Sequence, residues 1–226
     1  MQKKFLCAVA AAGLLLGSLN VSHGEMTVAV MAGEQEVRAE AAVVMDADNG
    51  RLLYAQNPDK RLANASTTKI MTALLTLEEP EQDRYFTVDP DAIRVEGTTM
   101  GLQPGDSVTL HQLAAGMLLP SGNDAAGAAA VEIAGSEEAF VRRMNRRAEE
   151  LGLTNTQYRN PSGLDAPGHY SSARDLATLA AHALENEDFA DIVSQQEMRM
   201  AFGNPPYNRS IYTTKDGPCE GPADLK

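Results

Sequence analysis

The run from Ile70 to Leu77 constrains this chain more than any other stretch. Ile70, Met71, Ala73, Leu74, Leu75 and Leu77 make it apolar nearly all round. A surface helix keeps a polar face, so a helix apolar on every side belongs inside a packed domain. Glu78-Glu79-Pro80 stops it, because proline disfavours helical geometry in the residue before it. What opens the helix is polar: Ser66-Thr67-Thr68-Lys69. Burying this helix therefore carries a lysine toward the core.

Around that helix the pattern is mixed. Ala41 to Met45 and Arg51 to Tyr54 flank Asp46-Ala47-Asp48-Asn49-Gly50. Asn-Gly between short runs predicts an antiparallel hairpin, since both residues tolerate positive φ. Asp46 and Asp48 read as turn residues, and Asn57-Pro58-Asp59 ends the second strand. Tyr85 to Val88 and Val108 to Leu110 bracket a loop rich in Gly and Pro. Leu110 to Leu119 predicts a short helix broken by Pro120, and Asn123 to Ala134 another. Ser136 caps a third, with Phe140, Met144, Ala148 and Leu151 on one face and Gly152 at its close. Thr154 to Tyr170 reads as irregular and Ser172 to Leu184 as helical. These elements predict an α/β or α+β globule with a mostly helical middle.

Ser66 and Lys69 stand three apart, so on a helix they share a face. A serine hydroxyl is a poor nucleophile until a neighbour takes its proton. A lysine can do so when burial favours its neutral amine. Ser66 would also sit near unpaired amides of the first turn, one of which could hold an oxyanion. Ser121-Gly122-Asn123 adds a second polar cluster after Pro120. Here Ser121 could pass a proton to a leaving amine, while Asn123 could hold Lys69 and a substrate amide. A plainer reading stays open for both motifs: Ser66 as a helix cap, and Ser121-Gly122-Asn123 as a turn and cap.

Composition narrows the classes. A formal net charge of -12 argues against a protein that tracks phosphate backbones. Arg142, Arg143, Arg146 and Arg147 read as the solvated face of a helix. His23 would be removed with an export signal, and His111, His169 and His182 share no metal-ligand spacing with Cys or carboxylates. No phosphate loop or dinucleotide fingerprint is found. Lys3 and Lys4 precede the apolar stretch Phe5 to Leu19, and Asn20, Ser22, His23 and Gly24 follow. This is the pattern of an export signal over residues 1–24, with a boundary as late as about residue 32. The apolar run is short for a bilayer span. Cys7 falls within the signal, so Cys219 is alone in the mature chain and no internal disulfide forms.

The two motifs, in this order after an export signal, resemble those of the penicillin-binding serine acyltransferases. Within them the chain is similar to the low-molecular-weight D-alanyl-D-alanine carboxypeptidases of the S11 peptidase family. Ala65 to Thr72 resembles their nucleophile helix. Leu119 to Ala126 resembles their second motif, with Gly122 where class A β-lactamases typically have Asp. Asn160-Pro161-Ser162-Gly163-Leu164-Asp165 and Tyr170 to Ala177 are similar to two further family stretches. The likeness covers Ala39 to Tyr207.

The resemblance implies a β-lactamase/transpeptidase-like fold, a helical lobe packed on an antiparallel sheet, without metal or cofactor. It implies Ser66 as acyl nucleophile, Lys69 as base, Ser121 as proton relay and Asn123 as positioning residue. The substrates implied are peptidoglycan stem peptides ending in D-Ala-D-Ala, with β-lactams as acylating inhibitors and no nucleic acid. Membrane contact is implied only through a C-terminal tail such as family members commonly carry.

One departure stands out. The family's third motif, Lys-Thr-Gly, has as its nearest string here Lys215-Asp216-Gly217, followed by Pro218. Asp216 would set negative charge where a substrate carboxylate binds, and Pro218 lacks an amide to donate. We read this string as a turn. The expected organisation is a partial catalytic domain over 39–210, lacking the later core strands, and a non-family tail over 211–226. Truncation or a shifted reading frame would produce it, and would leave the helical lobe's apolar face uncovered. Two other readings follow: an inactive chain that binds wall peptides, and a serine β-lactamase. The second lacks a segment resembling the class A glutamate loop.

Overall fold

The computed structural model describes residues 37–213. The expected export signal, Cys7, Cys219 and the Lys215-Asp216-Gly217 string lie outside them.

The apolar helix is central, as its composition requires. It is α1 (Lys69–Leu77), and every residue in it but Ile70 is buried. Packed against it are α2 (Leu110–Leu118), α3 (Asn123–Ala134), α4 (Glu137–Glu150), α5 (Ala173–Ala183) and α6 (Glu187–Ser194). The alanines of α3 from Ala125 to Ala130 are buried and let it approach closely, and on α4 Phe140, Met144 and Ala148 face inward. Side-chain oxygens of Thr109, Ser136, Ser172 and Asn186 cap α2, α4, α5 and α6 by accepting from first-turn amides. Ahead of α1 the chain makes a 3-10 turn, Ala65–Thr68, where the sequence predicts α-helix. Residues i and i+3 eclipse in a 3-10 turn, so Ser66 and Lys69 still share a side.

Strands β1 (Ala42–Met45) and β2 (Leu52–Gln56) form the expected antiparallel hairpin, pairing Ala42 with Gln56 and Val44 with Tyr54. In its turn Asp46 accepts from the Asp48 amide at 3.0 Å and the Asn49 side chain at 2.9 Å, which is a turn role. Helix α5 packs on β1, while Val44, Leu53 and Tyr54 stay exposed. A second sheet has the order β3 (Phe86–Thr87), β4 (Ser107–Val108), β5 (Glu197–Gly203), β6 (Pro206–Tyr212), all antiparallel.

The sequence reading assigns no element beyond Leu184, yet α6, β5 and β6 lie there. The signal for β5 is the period-two alternation of Met198, Met200 and Phe202. Strand β6 runs through buried Ile211 to Tyr212, two residues past the boundary expected from composition. The arginine cluster is only half solvated: Arg142 and Arg146 are exposed, whereas Arg143 pairs with Glu79 and Arg147 with Glu78, tying α4 to the end of α1.

Candidate active site

Ser66 is exposed at the start of the 3-10 turn, directly after Ala65, whose φ of 43° is a left-handed value that alanine rarely adopts. Such strain persists only where the surroundings over-determine it. Here three groups do so. The Asn64 carbonyl accepts from the Thr67 amide at 3.1 Å and from the Thr67 hydroxyl. Thr68, fully buried, accepts from Asn64 Nδ2 at 3.0 Å and lies 2.8 Å from His169 Nε2. Gly163, at φ +89°, presses on the turn so closely that a Cβ there would lie 1.9 Å from the Ala65 carbonyl oxygen. Only glycine fits.

Lys69 is 2% exposed, and its Nζ donates to Ser66 Oγ at 3.3 Å and to the Ser162 carbonyl at 2.6 Å. Burial lowers its pKa from the ordinary 10.5 to about 8, with the negative charge of Asp124 opposing the fall. At pH 7 roughly a tenth of such amines are neutral, enough for a base that works near neutral pH. The loop that contacts Lys69 is itself braced. Thr72 Oγ1 donates to the Pro161 carbonyl at 2.7 Å. Asn160 Oδ1 accepts from the Ser162 and Gly163 amides at 3.2 and 2.7 Å, and Asn160 Nδ2 donates to the Leu164 carbonyl at 2.7 Å.

The second motif joins α2 to α3. Ser121 takes a φ of 60°, and the Gly122 amide donates to the Gly116 carbonyl at 2.8 Å. A Cβ on Gly122 would lie 2.9 Å from both the Gly116 carbonyl oxygen and the Met100 amide nitrogen, so this bend also excludes a side chain. The Asn123 amide donates to the Thr98 carbonyl at 2.7 Å, its Nδ2 to the Glu96 carbonyl at 2.5 Å, and Thr98 Oγ1 to the Ser121 carbonyl at 2.6 Å. Asp124, 1% exposed, accepts from the Met100, Gly101 and Leu102 amides at 2.8, 3.0 and 2.9 Å. The motif thus fastens residues 96–102.

Of the four residues singled out from sequence, Ser66 and Lys69 are brought into direct contact. Ser121 and Asn123 lie where α3 begins, and α3 packs on α1. Among the described residues no hydrogen bond joins either side chain to Lys69; the Asn123 amide group goes to Glu96 instead. Sequence reasoning missed the Ser162 carbonyl, the Asp124 carboxylate and His169. A backbone acceptor leaves no signal in a side-chain pattern. Asp124 could have been suspected as an acidic residue in the first turn of an otherwise apolar helix. His111 and His182 lie elsewhere, and no cluster of His, Cys, Asp and Glu suited to a metal occurs among the described residues.

The family model for the S11 peptidases, D-alanyl-D-alanine carboxypeptidase, matches residues 27–217. The chain belongs to this family. Among similar proteins is the D-alanyl-D-alanine carboxypeptidase DacF of Bacillus subtilis, 42% identical over 164 residues, covering 70% of this chain and 42% of that protein. DacC of Escherichia coli is 36% identical over 192 residues, covering 79% of this chain and 48% of that protein. The chain therefore spans about half the length of the curated relatives it matches. A solved D-alanyl-D-alanine carboxypeptidase from Mycobacterium tuberculosis superposes with a TM-score of 0.73 at 33% identity, covering 79% of this chain and 67% of that one. A point mutant of the Streptomyces K15 DD-transpeptidase gives a TM-score of 0.73 at 28% identity, covering 77% of this chain and 74% of that one. The S11 chain accordingly has the α+β fold of penicillin-binding and transpeptidase proteins.

Proposed function

We propose that this chain acts as a serine-type D-Ala-D-Ala carboxypeptidase on peptidoglycan stem peptides, through an acyl-enzyme on Ser66. The observation that carries the reading is the contact between exposed Ser66 and buried Lys69, whose pKa burial lowers to about 8. Neutral Lys69 takes the Ser66 proton as Oγ attacks the carbonyl of the penultimate D-alanine. A first-turn amide supports the oxyanion. The C–N bond then breaks, and the departing D-alanine amine takes up the proton returned from Lys69 through Ser121. Water hydrolyses the ester and frees Ser66. Asn123 positions a substrate amide, and β-lactams acylate the same hydroxyl. Export by the leader over residues 1–24 puts this chemistry outside the cytoplasmic membrane, where the wall substrate lies.

A second reading, a chain that binds wall peptides without turning them over, is favoured by one feature. Neither Ser121 nor Asn123 bonds to Lys69. Labelling with a fluorescent penicillin, lost in Ser66→Ala, together with D-alanine release from a stem pentapeptide supports the carboxypeptidase. Labelling without release selects the binder, and absence of labelling overturns acyl transfer at Ser66. Fast turnover of a chromogenic cephalosporin would instead indicate a β-lactamase.

A further inference from the structure

His169 lies below the nucleophile turn, 8% exposed, in the irregular stretch between α4 and α5. Its two ring nitrogens have different partners. Nδ1 accepts from the Arg159 backbone amide at 3.1 Å, so in the neutral ring the proton sits on Nε2. Nε2–H then points at Thr68 Oγ1, 2.8 Å away, and that oxygen also accepts from Asn64 Nδ2. Thr68 closes the turn that presents Ser66 and immediately precedes Lys69. The buried Tyr158 ring packs on the imidazole in a T-shaped arrangement, with centroids 5.9 Å apart at 76°. A chain of hydrogen bonds therefore runs from the Arg159 backbone through the imidazole to the residue between nucleophile and base.

We propose that His169 is a positioning residue for Ser66, holding the strained 3-10 turn through Thr68 only while its Nδ1 is unprotonated. The proposal rests on the reading of Ser66 as an acyl nucleophile. Its physical basis is donor count. An imidazolium carries N–H on both nitrogens, and a protonated Nδ1 faces the Arg159 N–H, donor against donor. The ring must then give up the Arg159 amide, and without that anchor the imidazole no longer holds Thr68 in place. The charges facing the ring oppose each other: the Asp165 carboxylate favours the cation, and the Arg159 guanidinium disfavours it. Asn64, Thr68 and Tyr158 complete the surroundings without charge. Burial is the largest influence and holds His169 below its ordinary pKa, so the clamp stays closed at neutral pH and opens toward acid.

The test is the second-order rate constant for Ser66 acylation by fluorescent penicillin, from about pH 5 to about pH 9, with thermal melts as a folding control. The wild-type chain should show the Lys69 limb near pH 8 and a further fall on the acid side. His169→Phe, which has no donor, should acylate about tenfold more slowly at neutral and alkaline pH, with the gap to wild type closing toward acid. His169→Gln, which can donate to Thr68 but does not titrate, should recover most of that rate and lack the acid fall. Wild-type rates and an unchanged profile in both variants would overturn the clamp. If His169→Phe fails to fold, His169→Gln and an amide titration by NMR decide.

In that titration the Ser66, Thr67 and Thr68 amide shifts should follow His169 ionisation in the wild type and stay still in His169→Gln. Amides indifferent to His169 would overturn the proposal. An unlabelled wild-type chain refutes acyl transfer at Ser66 instead, and the amide titration then judges the clamp alone.

Discussion

The two motifs of the candidate site use their polar groups in different ways. On the nucleophile side, Ser66 and Lys69 meet side chain to side chain, and the neighbouring loop supplies a carbonyl to the amine. Beside the second motif, polar side chains are turned onto backbone: Asn123 on the Glu96 carbonyl, Asp124 on three successive amides. The first half holds reactive groups together, and the second holds a loop in place. Both halves contain a residue at positive φ, Ala65 and Ser121, and each has a glycine beside it, Gly163 or Gly122, that leaves no room for a Cβ. Shared backbone strain with different use of side chains is what the comparison teaches. It also says where substitutions will hurt activity and where they will hurt stability.

The largest effect should fall on the nucleophile side. Lys69→Ala should lower the rate of Ser66 acylation by about a thousandfold, as expected for loss of a general base, with the melting temperature little reduced or even raised. Relief of a buried amine is the reason for that exception. A comparable rate in Lys69→Ala would break the division between the halves. Next, Gly163→Ala should destabilise the fold by about 3 kcal/mol, because the added Cβ meets the Ala65 carbonyl and φ is left-handed. Chemical denaturation reads it directly.

Beside the second motif, Asp124→Asn should cost about 2 kcal/mol by weakening its bonds to the 100–102 amides. It should also move the acylation profile to lower pH, since the Asp124 charge raises the Lys69 pKa. A profile that moves without loss of stability would merge the two halves into one electrostatic unit. Lys69 adds a pH dependence of stability. Its folded pKa, about 8, lies below the ordinary 10.5, so between these values the unfolded chain binds more protons. Stability should therefore rise from pH 8 to 10.5 in the wild type, and Lys69→Met should remove that contribution. The smallest change belongs to the surface: Glu79→Gln, which breaks the pair with Arg143, should cost about 0.5 kcal/mol in a thermal melt.

Much of this was legible in the chain itself. Local physics determines the hairpin at Asn49-Gly50, the stop at Pro80, the cap at Ser136 and the all-round apolar character of α1, because each depends on a few neighbouring residues. Ser66 and Lys69 were legible for the same reason: three residues of separation suffice to bring them together. That Ser121 and Asn123 share a site with them is an expectation from motif order, and among the described residues no hydrogen bond links either side chain to Lys69. Strands β5 and β6 were less visible, although Met198, Met200 and Phe202 alternate inward, because the stretch carries exposed Tyr207 and Tyr212 and several turn residues.

What only the tertiary structure decided involves partners far apart in sequence. The Ser162 carbonyl reaches Lys69, Gly163 touches Ala65, and His169 reaches Thr68, all across about a hundred residues. No periodicity encodes such contacts, since they arise when α1, α3 and α5 bury their apolar faces together and carry the loops with them. The sequence alone placed a serine and a lysine on one face of a central helix. The lysine's apolar surroundings already implied a buried amine; packing decided that the turn would be strained and a histidine set beneath it.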